Sequence, residues 1–137
     1  MHAPHKPIRA FLSRFQISEE GGISVESVIW MPIYMLFFAL IVDVSMMFHN
    51  QTKAMRIVQD ANRLASYQYY TTAGEVEANV KSRMVNISDN ATVTTTLGSD
   101  AVATVVSFPV RDVAIIGFVG TFMNTDITVS SMHLVES

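Results

Sequence analysis

Between Glu26 and Asp43 lie sixteen residues, 27–42, without one charge. At about 1.5 Å of helical rise per residue this run spans about 24 Å, and residues 23–48 span about 39 Å, so the segment is long enough to cross a hydrocarbon layer of about 30 Å. From Val28 to Val42 nearly every position is Val, Ile, Leu, Met, Phe, Trp30 or Tyr34. No polar face is left of the kind a helix lying on a protein surface keeps. The run therefore reads as a single membrane-spanning helix. About 90 residues follow it, enough for one small domain with a modest core.

The flanks exclude several classes of function. Nine Lys and Arg against twelve Asp and Glu give a net charge of −3, and neither sign gathers into a run, so there is no electrostatic footprint for nucleic acid. The chain has no cysteine, which excludes disulfides and thiolate metal sites and leaves the redox compartment open. Lys6, Arg9 and Arg14 precede the run while Lys53, Arg56 and Arg63 follow it, so the distribution of cations does not fix the orientation. A cleaved secretory signal fits poorly, because its apolar core is about 7 to 15 residues long and the segment Asp43-Val-Ser-Met-Met-Phe48 lacks a small-x-small cleavage pattern.

Three residues of the run and its edges invite a role. Glu26 stands five positions after Gly21 at the start of the apolar helix. A carboxylate costs a few kcal/mol in lipid, so it needs either the headgroup layer or a partner; the positive end of the helix dipole also favours it there. Asp43 lies seventeen residues on, about 25 Å away along a helix, which rules out an acid/base pair with Glu26 within one chain. It marks the far membrane boundary or contacts a partner helix. Pro32 removes the helical hydrogen bond to the carbonyl of Val28, so a kink is expected there.

The pattern Glu19-Glu-Gly-Gly-Ile-Ser-Val-Glu-Ser27, followed by apolar residues with Met31-Pro32 and then Asp43-Val44-Ser45, resembles the amino-terminal segment of TadE-like minor pseudopilins of the tight-adherence pilus system. In that family a basic leader ends in glycine, a prepilin peptidase cuts after it, and glutamate is the fifth residue of the mature chain. The resemblance implies that Gly21 ends the leader, Gly22 becomes the new amino terminus, and Glu26 is an assembly residue. A cut after Gly22 would instead make Glu26 the fourth residue. The family usually has Phe or Tyr where Ser27 stands, and glycine where Ser45 stands. The likeness is carried by about residues 14–66 and extends to the closing strand, 126–136. Its mechanism has a physical rationale: cleavage exposes an α-amino group, and a carboxylate on a neighbouring subunit can pair with it. Stranding one member of a poorly solvated pair costs about 3 to 5 kcal/mol, so such a pair would set the register between subunits.

Beyond His49 the helix is expected to continue to Ser66, with Ala54, Ile57, Val58, Ala61, Leu64 and Ala65 on one side and Lys53, Arg56, Asp60 and Arg63 on the other. Asp60 and Arg63 are spaced to pair. The apolar stripe packs on the chain's own domain or on another subunit. Tyr67, Tyr69 and Tyr70 read as domain core in preference to a ligand platform. Thr72-Ala-Gly-Glu75 fits a capping box that starts a second helix, with Val76, Val80, Met84 and Ile87 as its apolar face. Residues 92–97 and 101–110 form a β-hairpin around Gly98-Ser-Asp100, and 126–136 form another strand, with Ile127, Val129, Ser131 and His133 on one face. Residues 113–123 are apolar but hold Gly117 and Gly120; they are a buried loop, a short helix or a partner-facing patch.

The fold class expected is therefore α+β: a long amino-terminal transmembrane and stalk helix, then a small domain of a helix and an antiparallel sheet. The division is 1–21 as cytoplasmic leader, 22–66 as transmembrane and stalk helix, and 67–137 as extracytoplasmic domain. By resemblance the partners are a prepilin peptidase, the major pilin and other pseudopilins, the inner-membrane assembly platform and membrane lipid. The location implied is the bacterial inner membrane, single-pass, amino terminus inside. The alternatives are an uncleaved accessory subunit of an envelope complex, and a secreted domain released by signal peptidase. His2, His5, His49 and His133 show no metal-ligand spacing, and no phosphate loop or nucleophile motif occurs. No cofactor, metal, nucleic acid or enzymatic activity is expected.

Overall fold

The computed structural model describes residues 20–135, with side chains from Val25 onward; the leader expected over residues 1–21, apart from its last two residues, lies outside the described residues. Two compact units are present, one ending at Phe38 and one beginning at Ala39.

The first unit is the amino-terminal part of helix α1 (Glu20–Ser66), and every side chain from Val25 to Phe38 in it is exposed. By length and composition, α1 from Val25 onward is long and apolar enough to cross a membrane. The helix runs on through Pro32.

The second unit begins with the rest of α1, and here only one stripe is covered. Ala54, Val58, Ala61 and Ala65 are buried at three- and four-residue steps, the period of a helix with one inward face. Ile57 is half-buried, and Leu64 points outward. The helix ends at a Schellman-type cap. Tyr69 N–H donates to the carbonyl of Leu64 and Gln68 N–H to that of Ala65, with Gln68 in the left-handed conformation at φ 60°. That turn corrects the reading of the three tyrosines as core. Only Tyr70 packs against the core, whereas Tyr67 and Tyr69 are exposed.

Helix α2 (Ala73–Met84) starts at the expected capping box, with Thr72 as N-cap. Thr72 Oγ1 accepts from Glu75 N–H at 3.3 Å, and the Glu75 carboxylate accepts from the Thr71 and Thr72 amides at 2.9 and 3.3 Å. Val76, Val80 and Met84 are fully buried, and Ile87 continues the face. Each such side chain contributes about 1.5 to 3 kcal/mol. Asp60 does not pair with Arg63; its carboxylate takes Arg83 of α2 at 3.1 Å. Both groups are well exposed, so this bridge contributes at most about 1 kcal/mol.

Strands β1 (Thr92–Leu97), β2 (Ala101–Pro109) and β3 (Asp126–Leu134) form one antiparallel sheet in that order. Val102, Thr104, Val106 and Phe108 of β2 face the helices, and Ser107 and Val105 face away. In β3 the alternation falls as expected, with Val129 buried and Thr128, Ser130, Met132 and Leu134 exposed. Between β2 and β3 lie a 3₁₀ turn (Val110–Asp112) and a short helix, α3 (Phe118–Phe122). Of the alternatives for residues 113–123, a short helix is what forms, anchored by buried Val113 and Val119.

One row across the sheet is polar. Thr95, Thr104 and Ser131 are register partners, and Asn62 of α1, itself wholly buried, lies over them. The Thr104 hydroxyl donates to Asn62 Oδ1 at 2.6 Å, and Asn62 Nδ2 donates to the Ser131 carbonyl at 2.7 Å. Since the Thr104 proton is committed to Asn62, the 3.0 Å contact with Thr95 is a bond donated by the Thr95 hydroxyl. The Thr95 amide donates in turn to Glu77 of α2 at 2.7 Å. The network closes one register between both helices and all three strands.

Replacing Asn62 with Ala removes the acceptor of the Thr104 hydroxyl and the side-chain donor to the Ser131 carbonyl. The expected loss is about 1 to 3 kcal/mol, seen as a lower denaturation midpoint of the full chain in detergent. A change within about 0.5 kcal/mol, the range of inert surface substitutions, would show that the network does not hold the sheet.

A second polar knot binds the turn before β1 to the 3₁₀ turn. Ser88 Oγ and Asn90 Nδ2 both donate to Asp112 Oδ2. These donors, helped by Arg111, hold the Asp112 carboxyl below its ordinary range against the opposing effect of burial. A depressed carboxylate adds stability above its unfolded pKa of about 3.9 and loses it as pH falls through the lower, folded value. The melting temperature should therefore drop below about pH 4. Asp112→Asn should flatten that drop, and an unaltered acid profile in the variant would count against the assignment.

Candidate functional site

The residues singled out by sequence fall along α1 in two settings. Gly21 and Gly22 lie in its first turn. Glu26 is exposed and, among the described residues, has no hydrogen-bond or ion-pair partner. Four and eight residues on, Trp30 and Tyr34 share its face, their ring centroids 6.2 Å apart and their planes tilted by 35°. Trp and Tyr are the side chains that favour the headgroup level, where an apolar ring and a polar edge are both accommodated. Glu26 thus heads an amphipathic aromatic face. Pro32 contributes no N–H, so one carbonyl of the preceding turn lacks its usual donor.

Asp43 is in the second unit, and its setting is different. Its side chain is completely buried. Oδ1 accepts the Ile116 amide at 2.7 Å, and Oδ2 accepts the Phe118 and Val119 amides at 2.7 and 3.2 Å. Three N–H groups converge because Gly117, at the start of α3, adopts a left-handed φ of 77°, which turns successive amides toward one point and which other residues reach only with strain. Charge-assisted bonds of this kind are about twice as strong as neutral ones, which is what offsets removing a carboxylate from water. Gly120 has a steric reason as well: a Cβ there would lie 3.0 Å from the Arg111 Cα. Glu26 and Asp43 belong to different units, and the structure gives Asp43 partners from its own chain.

The family model described as TadE-like protein matches residues 21–63. That segment is similar to the TadE-like family. The match begins at Gly21 and takes in Glu26, Pro32 and Asp43, stopping three residues before α1 ends; α2 and the sheet lie beyond it. No curated protein and no solved structure matches the chain. Among the described residues, no group of three or more His, Asp or Glu side chains is placed to hold a metal.

Two features of the site escaped sequence reasoning. Asn62 follows Val58 by four residues in the buried phase of the TadE-like helix, and a polar residue in that phase was the available signal. The amide cradle of residues 116–119 had only Gly117 as a sign, and nothing local linked it to a carboxylate 73 residues earlier.

Asp43→Asn keeps the shape and replaces one acceptor oxygen with an NH₂ group that must face an amide N–H. The expected cost is about 1 to 3 kcal/mol, or about tenfold in local opening per 1.4 kcal/mol. Hydrogen exchange at the Ile116, Phe118 and Val119 amides, slow in the wild type, should accelerate accordingly. Unchanged exchange at all three would show that the carboxylate does not hold the turn.

Proposed function

We propose that the chain is a minor pseudopilin of a tight-adherence pilus and acts in pilus assembly and surface attachment. The observation that carries this is the TadE-like match, which opens at Gly21 with Glu26 on an exposed helix face. In this reading residues 1–21 are a cytoplasmic leader cut by a prepilin peptidase, 22–66 are the transmembrane and stalk helix, and 67–137 are a periplasmic domain. The protein sits in the inner membrane until it joins or primes the fibre. The part is structural, with no reaction catalysed.

The assembly chemistry follows from two groups. Cleavage after Gly21 leaves the Gly22 ammonium at the helix start, and Glu26, lacking an internal partner among the described residues, is free to pair with that cation on a neighbour. Within a helix bundle the apolar faces supply contact without register, since hydrophobic attraction is non-directional. A charge pair supplies register, because a mismatch strands a charge. The major pilin, other pseudopilins and the assembly platform are the partners in this scheme, with lipid around the helix beforehand. Pro32 gives the helix a point at which to bend as it changes surroundings.

The test is the amino-terminal sequence and intact mass of the chain from its native membrane, with and without the prepilin peptidase. A peptidase-dependent start at Gly22 is expected. With processing intact, Glu26→Ala should cut incorporation into sheared pili by tenfold or more, the equivalent of about 1.4 kcal/mol. A start at Met1 in both samples would replace this mechanism with that of an uncleaved accessory subunit.

A further inference from the structure

Residues 113–125, between Asp112 and Asp126, contain no charge. Four of their large side chains are open: Ile115 at 65 %, Ile116 at 55 %, Phe122 at 74 % and Met123 at 50 % exposure. Phe118 and Phe122 extend this surface with ring centroids 5.2 Å apart. An isolated apolar side chain on a surface is ordinary, but a contiguous group on a charge-free turn calls for a partner.

We propose that this turn is a membrane-interface anchor: Ile115, Ile116, Phe122 and Met123 enter the headgroup and upper acyl layer of the bilayer beside α1. Asp43 fixes the place. It is the first charge after the run of residues 27–42, and its carboxylate binds the Ile116, Phe118 and Val119 amides directly. The last four residues of the run, 39–42, belong to the same compact unit as the turn. Leu40, Ile41 and Val42 are exposed at 38 %, 55 % and 40 %, so the apolar surface of the turn continues that of the helix end. Arg111 stands beside the turn, with Gly120 packed on its backbone; its Nε lies 3.7 Å from the Asp112 carboxylate, and its side chain, 64 % exposed, can still present its outer nitrogens to a lipid phosphate. Apolar groups with a cation close by suit an interfacial anchor, and of the two carboxylates that border the turn Asp112 is held by Ser88, Asn90 and Arg111. Burial of Asp43 has a purpose in this arrangement: the carboxylate at the membrane edge is sheathed by amides, so it does not repel the turn from lipid. A protein partner would satisfy the apolar groups equally, but it would not account for their continuity with the apolar end of α1.

The inference rests on the reading of residues 27–42 as membrane-spanning, and the experiment separates the two. Because the chain has no cysteine, single nitroxide labels can be placed at Ile115→Cys, Phe122→Cys, Phe37→Cys and Met132→Cys in the full chain, reconstituted at low density in phosphatidylethanolamine and phosphatidylglycerol vesicles. Phe37 is exposed within the run, and Met132 is exposed on the outer face of the sheet. Relative accessibility to oxygen, which concentrates in lipid, and to a nickel chelate, which stays in water, is then measured. The ratio at residues 115 and 122 is expected to exceed that at 132 several-fold and to fall below that at 37. Ratios at 115 and 122 equal to that at 132, with a high ratio at 37, overturn the anchor and leave the membrane helix standing. A low ratio at 37 overturns both. Low accessibility to both reagents at 115 and 122 assigns the turn to a protein contact and also overturns the anchor.

Discussion

A single helix serving two surroundings is the constraint on which the rest of the chain depends. Through Phe38, α1 exposes apolar side chains on every side; from Ala54 onward it is apolar along one stripe only. Apart from the carbonyl that Pro32 leaves without its usual donor, a helix satisfies its own backbone hydrogen bonds, so the difference between the two parts falls on the side chains. Where the stripe is narrow it is built of small residues. Three of its four fully covered members are alanines, so the domain approaches the helix backbone closely. The small domain thereby borrows its longest core element from the helix that carries the charge-free apolar run. Valines from α2, β2 and β3, with Met84 and Phe108, complete one core around it.

A core made largely of Ala and Val has little shape to specify register, since one valine resembles the next. Two polar contacts supply that specification. Asn62 reaches two strands and, through Thr104, a third, and a slip of one residue would turn Thr104 outward and leave the asparagine unpaired. Asp43 does the same at the other end of the domain, where three amides must be presented together. Each contact is costly if half-made and directional if complete. Apolar burial holds the elements together, and these groups decide how they are placed.

Most of the elements were legible from periodicity and end signals. Thr72 and Glu75 mark the start of α2 because a capping box is local chemistry, and β1, β2 and β3 show the alternation of a sheet covered on one face. The TadE-like segment was likewise visible from its glycines, Glu26 and apolar run. What was not legible depended on distance in the chain. Spacing alone allowed Asp60 to pair with Arg63, but Arg83 was delivered by α2 instead. Tyr67 and Tyr69 have the composition of core, yet Gln68 at positive φ turns them to solvent. Hydropathy has no way to register such a turn. The cradle around Asp43 was hidden for the same reason, being made of backbone amides, which every sequence contains.

The two carboxylates at the ends of the charge-free run divide along these lines. Both would be costly in lipid without compensation. Asp43 receives compensation from its own chain, three amides held by a glycine turn, and can therefore be buried before any partner arrives. Glu26 receives none among the described residues. A group whose bonds are already made internally has little to gain by association, whereas one left exposed beside an aromatic face keeps its full pairing energy for a second molecule. The internal carboxylate thus serves the folding of the chain, and the open one is the group that the proposed function uses for assembly. Exchanging their environments would spoil both in the proposed reading, since a cradled Glu26 could not reach a neighbour's ammonium, while an uncradled Asp43 would release the apolar turn of residues 113–125.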